Sequence, residues 1–365
     1  MIPVYKPFFT KKSLRYAHDA LDSTWVSSQG KYIDLATEKL KEILNVKNLL
    51  LVNNGTSATH LVAKALHKKY PQIKNITAPN NVYVAAWNSF LFDKNYKIQT
   101  IDANLNTWNI DESKIKNKKD HALLVVHNLG NIINVPNLKE KYPDLVYVED
   151  NCEGLFGKYN NKYSGTESFA SSISFFGNKN ITSGEGGAVI INDDDVFQYI
   201  KCVHGQGQSS TRFIHSELGY NYRITNIQAA ILLGQLEILD EILEKKKNLF
   251  FKYKKELSNI NNIMLQEESE NTFHSNWMFG IRIAGNYSYE KVESFFKSKN
   301  IEIRPMFYPA STHHHLLSNN RIQINSETNA KILNKECIIL PSFPDLSNNE
   351  INFIIKSVKD YSKLI

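Results

Sequence analysis

Hydrophobic positions recur at helical spacing over residues 32–44 and then close up into the unbroken apolar run Leu49-Leu50-Leu51-Val52, which reads as a buried strand. Helical signals at 57–67, 82–92 and 136–142 then alternate with short apolar runs at 74–78, 97–101, 122–126 and 145–149. That alternation predicts an α/β domain on a mostly parallel sheet. Ligands of such sheets collect at the carboxyl ends of strands, where Asn53-Asn54-Gly55-Thr56 and Glu149-Asp150 fall. Residues 226–258 predict one long helix, apolar at its start and increasingly charged, that joins two domains. Beyond it, Met278-Phe279-Gly280-Ile281-Arg282-Ile283 and the amphipathic stretch 350–358 predict a small α+β domain. The expected division is 1–240, including an N-terminal arm, and 241–365.

Composition narrows the class. A chain of 365 residues exceeds what one core usually organises. It has no run of roughly 18 apolar residues, and Met1-Ile2-Pro3-Val4-Tyr5-Lys6 lacks a signal-peptide pattern, so we expect a cytoplasmic protein with no membrane role. Cys152, Cys202 and Cys337 offer neither zinc spacing nor a disulfide framework, and we expect no metal. The net charge of +6 is spread over dispersed lysines. We read Lys245-Lys246-Lys247, which follows acidic residues on a helix, as a solvated face, so no nucleic acid partner is expected. His313-His314-His315 lacks carboxylate or thiolate support and reads as an exposed or substrate-loop segment, and Trp87 and Trp277 read as core or interface residues.

The candidate chemistry lies in two segments. Lys179 stands in Ser174-Phe175-Phe176-Gly177-Asn178-Lys179, ahead of the close turn Gly184-Glu185-Gly186-Gly187 and the strand Ala188-Val189-Ile190-Ile191. Upstream, Leu145-Val146-Tyr147-Val148-Glu149-Asp150 ends in a carboxylate. A lysine that can hold an aldehyde as a Schiff base, with a carboxylate to pair with a pyridine nitrogen, suits pyridoxal 5'-phosphate (PLP). At Gly55-Thr56-Ser57 a turn opens a helix whose first amides can receive a phosphate, although the same turn fits a plain N-cap. Likewise Asp150 fits a turn cap, and Ser174 needs no ligand to explain it.

In chain order, Trp25-Val26-Ser27-Ser28-Gln29-Gly30, Gly55-Thr56-Ser57, Glu149-Asp150-Asn151-Cys152-Glu153 and the Ser174–Lys179 segment are followed by Gly184-Glu185-Gly186-Gly187. Then come Gly219-Tyr220-Asn221-Tyr222-Arg223 with Gln228-Ala229-Ala230, Ile303-Arg304-Pro305 and Leu340-Pro341-Ser342. Together they resemble the DegT/DnrJ/EryC1/StrS family of PLP-dependent nucleotide-sugar aminotransferases, almost end to end. The resemblance implies a fold type I PLP-dependent transferase of the aspartate aminotransferase superfamily, with a large mixed, mostly parallel sheet domain and a small α+β C-terminal domain. It implies that Lys179 carries the cofactor and Asp150 pairs with its ring nitrogen. Gly55, Thr56, Ser57 and Ser174 would surround the phosphate, Tyr83 would stack on the ring, and Glu153 would stand near both cofactor and sugar. Asn221 would reach the phosphate of a neighbouring subunit, so a homodimer with shared sites is implied. Ser27, His215 and Arg304 would contact substrate.

Family members that dehydrate the sugar at C3 carry histidine in place of the lysine, so Lys179 favours amino transfer. The segments Ser174–Lys179, His204-Gly205-Gln206-Gly207 and Gly219–Arg223 are similar to the branch that aminates C4 of nucleotide-linked 4-keto-6-deoxyhexoses, which implies viosamine- or perosamine-type products with L-glutamate as amino donor. A 3-aminotransferase, a 3-dehydratase and a noncatalytic PLP or nucleotide-sugar sensor are the alternatives.

Overall fold

The alternation of helices and strands resolves into one eight-stranded sheet. A computed structural model describes all residues except 94, 286, 287 and 319. Its strands β1 (Leu49–Val52), β2 (Asn75–Pro79), β3 (Lys97–Ile101), β4 (His121–Val126) and β5 (Val146–Asp150) are joined by Ala170–Ser174, Gly187–Ile191 and Ile322–Ile324. Across the sheet the order is β1, Gly187–Ile191, Ala170–Ser174, β5, β4, β2, β3 and Ile322–Ile324. Gly187–Ile191 runs antiparallel to both of its neighbours, and the remaining pairs are parallel. Strands covered on both faces need no polar alternation, which is why His121-Ala122-Leu123-Leu124-Val125-Val126 is buried at every position.

Helices α1 (Lys11–Asp22), α2 (Lys31–Leu44), α3 (Gly55–Lys69), α4 (Ala85–Leu91), α5 (Val135–Lys141) and α6 (Asp194–His204) include the covers of this sheet. The most deeply placed is α3, nine of whose residues are buried. Asn54 starts it: the Asn54 Oδ1 accepts the Ser57 amide at 2.8 Å, while His67, Lys68 and Lys69 meet the negative end of the dipole in the last turn.

The helix expected over 226–258 is two helices, α7 (Asn226–Leu236) and α8 (Leu239–Leu257). Leu236, Ile238, Leu239 and Ile242 all enter the same apolar cluster. On an unbroken helix Leu236 and Ile238 would point about 200° apart, so the chain breaks at Glu237-Ile238 to bury both. Likewise, the first three residues of the helix expected at 82–92 form the turn that leads into α4.

Past α8 a second sheet, Ile263–Leu265, Phe279–Ile283, Cys337–Leu340 and Arg304–Pro305, is antiparallel throughout. Its apolar face packs with α8 and the terminal helix Asn348–Ser362 around Phe250, Tyr253, Phe296 and Ile354. Several segments cross between the bodies, Thr272–Phe273 beside Lys158–Tyr159 among them. The amide of Val4 donates to Glu302 at 2.9 Å, and Ile322–Ile324 returns to the large sheet beside β3. Among the described residues no helix is long and apolar enough to cross a membrane.

Candidate active site

The carboxyl ends of the central strands meet the start of α3 in a cavity of about 750 Å³. Asp150 ends β5, Ser174 ends the adjacent strand, and Gly55, Thr56 and Ser57 form the first turn of α3; all five line the cavity. Gly55 is dictated by approach: a Cβ there would lie 2.7 Å from the Ser174 Cβ and 3.2 Å from the Cys152 Sγ. Without that atom, helix start and strand end leave a cradle for an anion at the positive end of a fifteen-residue helix. The Ser57 amide is already taken by Asn54, so the amides of Gly55 and Thr56 and the hydroxyls of Thr56, Ser57 and Ser174 are the groups left to such a ligand.

Beside this cradle, Asp150 is buried, and its Oδ1 accepts the Cys152 amide at 3.1 Å. The strand residue before it is also fixed. Glu149 and His127 are wholly buried and meet at 2.9 Å through Oε2 and Nε2, while His127 Nδ1 accepts the Ile133 amide at 3.1 Å. The imidazole therefore carries its proton on Nε2 and donates it to Glu149.

Lys179 follows a turn in which its own amide donates to the Phe176 carbonyl at 2.9 Å. Its carbonyl accepts the Tyr5 hydroxyl at 2.7 Å, and its Nζ stands 3.9 Å from the centroid of the Trp277 ring. Trp277 is thus more than a core residue. It is buried, yet it lines the cavity, and its Nε1 donates to the Asn178 carbonyl at 2.7 Å. Trp87 is core, with its Nε1 on the Pro79 carbonyl.

Glu153 faces the same cavity. Burial pushes its carboxyl up to about 7, against the opposing pull of the Lys179 charge and of the Leu129 amide, which donates to Oε2 at 2.8 Å. That amide is aimed by an unusual backbone, since Leu129 has φ 58°. Asparagines hold the turn: the Asn128 amide donates to Asn109 Oδ1, Asn128 Nδ2 to the Trp108 carbonyl, and Asn109 Nδ2 to the Asn131 carbonyl. The same surroundings raise the Cys152 thiol well above its ordinary value, chiefly through burial and then through Asp150.

The structure therefore brings together Gly55, Thr56, Ser57, Tyr83, Asp150, Glu153, Ser174, Lys179 and Arg304. Tyr83 is 61% exposed with its ring 6.3 Å from that of Phe307, and so presents a free face to the cavity. Ser27, His215 and Asn221 are exposed and lie outside this cavity. Sequence reasoning missed Tyr5, Met306 and Tyr308 and read His313 as exposed or part of a substrate loop; His313 lines the cavity and packs on Trp87. The aromatic and apolar ones carry no local signal that separates them from core. Lys246, read as part of a solvated face, is fully buried because backbone carbonyls of Trp277 and Ser342 take its amine.

Known proteins resemble this chain over its whole length. GDP-perosamine synthase of Escherichia coli O157:H7 is 35% identical over 99% of this chain and 98% of its own length. The Vibrio cholerae GDP-perosamine synthase is 34% identical over the whole of both. Two solved structures share the fold. An E. coli GDP-4-keto-6-deoxy-D-mannose-3-dehydratase with bound hydrated PLP has a TM-score of 0.90 at 20% identity, covering 98% of this chain and 99% of that one. The Helicobacter pylori aminotransferase PseC has 0.90 at 23%, covering 99% of each. The model of the DegT/DnrJ/EryC1/StrS aminotransferase family matches residues 8–359, and the chain belongs to that family.

Proposed function

We propose that this chain is a PLP-dependent aminotransferase that converts a GDP-linked 4-keto-6-deoxyhexose to its 4-amino sugar, with L-glutamate as amino donor. The observation that carries this reading is the meeting of Lys179, Asp150 and the anion cradle of α3 in one cavity. The GDP assignment is supported by the full-length similarity to GDP-perosamine synthases.

The residues fit the cofactor. A carboxylate at a strand end, a lysine, a Cβ-free helix start and an exposed tyrosine face match its ring nitrogen, aldehyde, phosphate and ring. When bound, PLP supplies an electron sink for a carbanion next to nitrogen. Asp150 would hold the ring nitrogen proton, an electrostatic contribution in place before reaction. Lys179 would carry the cofactor and, once released, take the proton from the donor's α-carbon and return one to C4 of the sugar. Glu153, in the same cavity and with its carboxyl raised to about 7, would supply the proton with which the keto oxygen leaves as water. Arg304, which also lines the cavity, suits the diphosphate.

A second copy of the chain would complete the site. Asn221, Ser27 and His215 lie on exposed segments that also present Trp25, Phe213 and Leu218, which are 59%, 76% and 86% exposed. Large apolar side chains clustered around candidate site residues suit burial against a homodimer partner.

The test is an absorbance spectrum of the protein with PLP, then with L-glutamate, for wild type and Lys179→Ala, followed by GDP-4-keto-6-deoxymannose with mass detection of the product. A lysine-dependent band that glutamate bleaches, and a product carrying an amine at C4, are expected. No band, or no amine gained by any 4-keto sugar, overturns the reading.

A further inference from the structure

Two side chains from distant parts of the chain hold the Lys179 segment from behind. Tyr5 donates its hydroxyl to the Lys179 carbonyl, and Trp277 donates Nε1 to the Asn178 carbonyl while offering its ring to the Lys179 amine. Both converge on Lys246. This α8 residue is 0% exposed, its Nζ donates to the Trp277 carbonyl at 2.7 Å and to the Ser342 carbonyl, and the same atom lies 5.1 Å from the centroid of the Tyr5 ring. Burial alone sets its protonation, pushing the amine well below the ordinary lysine range, with no carboxylate among the causes. A lysine buried without a counter-charge is costly, and an apolar side chain of similar volume would fill the same space. What methionine could not do is grip the carbonyl of Trp277, and through it the indole under Lys179.

We propose that Lys246 is a positioning residue for Lys179, fixing through Trp277 and Tyr5 where the Lys179 amine stands in the cavity. From the proposed function this takes only that Lys179 is the reacting amine. The segment that carries Trp277 into strand Phe279–Ile283 of the small sheet is thereby tied to the reacting lysine.

The test uses the full chain with Lys246→Met, Tyr5→Phe and the double variant. In cofactor-free protein, amide hydrogen exchange of residues 176–183 is expected to rise about ten-fold in Lys246→Met, while the α3 amides keep their protection. In holoenzyme, kcat is expected to fall roughly ten-fold with KM for L-glutamate within about two-fold, because the defect lies in placing the amine rather than in binding. The double variant is expected to be no slower than the slower single one, since both act on one segment. A folded Lys246→Met with unchanged exchange at 176–183, a uniform rise over the whole chain, or additive losses of kcat would overturn the proposal. If Lys246→Met does not fold, Lys246→Leu, which also removes the donors, is read in the same way. A wild type inert toward glutamate would sink the proposed function and leave the exchange result to decide this one.

Discussion

Glu153 shows how far one residue can be read. Its place in Glu149-Asp150-Asn151-Cys152-Glu153 marks it for the site, but its protonation depends on burial and on an amide from Leu129 that only the folded chain supplies. The carboxyl is raised from 4.5 to about 7, so the folded protein holds a proton that the unfolded chain releases. Its contribution to stability is fully present below the unfolded value and is lost as pH rises through about 7. Glu153→Gln, which keeps an acceptor for Leu129, should therefore gain stability relative to wild type at pH 8 compared with pH 5, by on the order of 3 kcal/mol. Urea melts of the cofactor-free proteins at the two pH values measure it, and equal differences at both would refute the assignment. Lys179 and Asp150 were legible because the motifs around them, Ser174–Lys179 and Glu149-Asp150-Asn151-Cys152-Glu153, resemble those of a known family. Lys246 was not: a lysine in a basic run looks solvated until two distant carbonyls are known to surround it.

At the scale of elements, periodicity located β1 to β5 and α3 to within a few residues, because burial on both faces leaves unbroken apolar runs. It failed where the partner decides the geometry. Nothing local in 226–258 announces a break, since the break follows from the cluster that takes both Leu236 and Ile238. The same blindness applies to Gly234. It reads as a poor helix residue, yet a Cβ there would lie 1.8 Å from the Ser13 carbonyl oxygen, so α7 and α1 touch backbone to backbone. Gly234→Ala, favourable by helix propensity alone, should instead cost about 3 kcal/mol by forcing the helices apart. The midpoint of chemical unfolding decides it, and a variant as stable as wild type would show that the contact yields cheaply. Part of the candidate site would move as well, because Asn226 at the start of α7 holds the Trp25 carbonyl and the Tyr32 amide near Ser27.

For the whole molecule the open issue is why three candidate residues sit away from the cavity that the other nine share. Ser27 and Asn221 are on the surface, and their segments are tethered to each other through the bond from the Asn226 amide to the Ser27 carbonyl and through the run into α7. His215 lies on the neighbouring exposed loop and is fixed by its Nδ1 on the Gln206 carbonyl. This segment leaves Phe213 and Leu218 in solvent, and on the proposed reading a second copy of the chain would cover them. If that surface is a second copy, each site takes Lys179 from one chain and Asn221 from the other. Lys179→Ala and Asn221→Ala homodimers would then both be impaired, the first without turnover and the second with weakened PLP retention. Mixing the two after mild dissociation should form hybrids in which one site has both defects and the other has neither. With random exchange half of the dimers are hybrids, so activity should recover to about one quarter of wild type. Turnover at limiting PLP, where the Asn221→Ala parent stays largely empty, followed against the mixing ratio, reads the result. Recovery places Asn221 across the interface, whereas a mixture no more active than the average of its parents confines each site to its own chain.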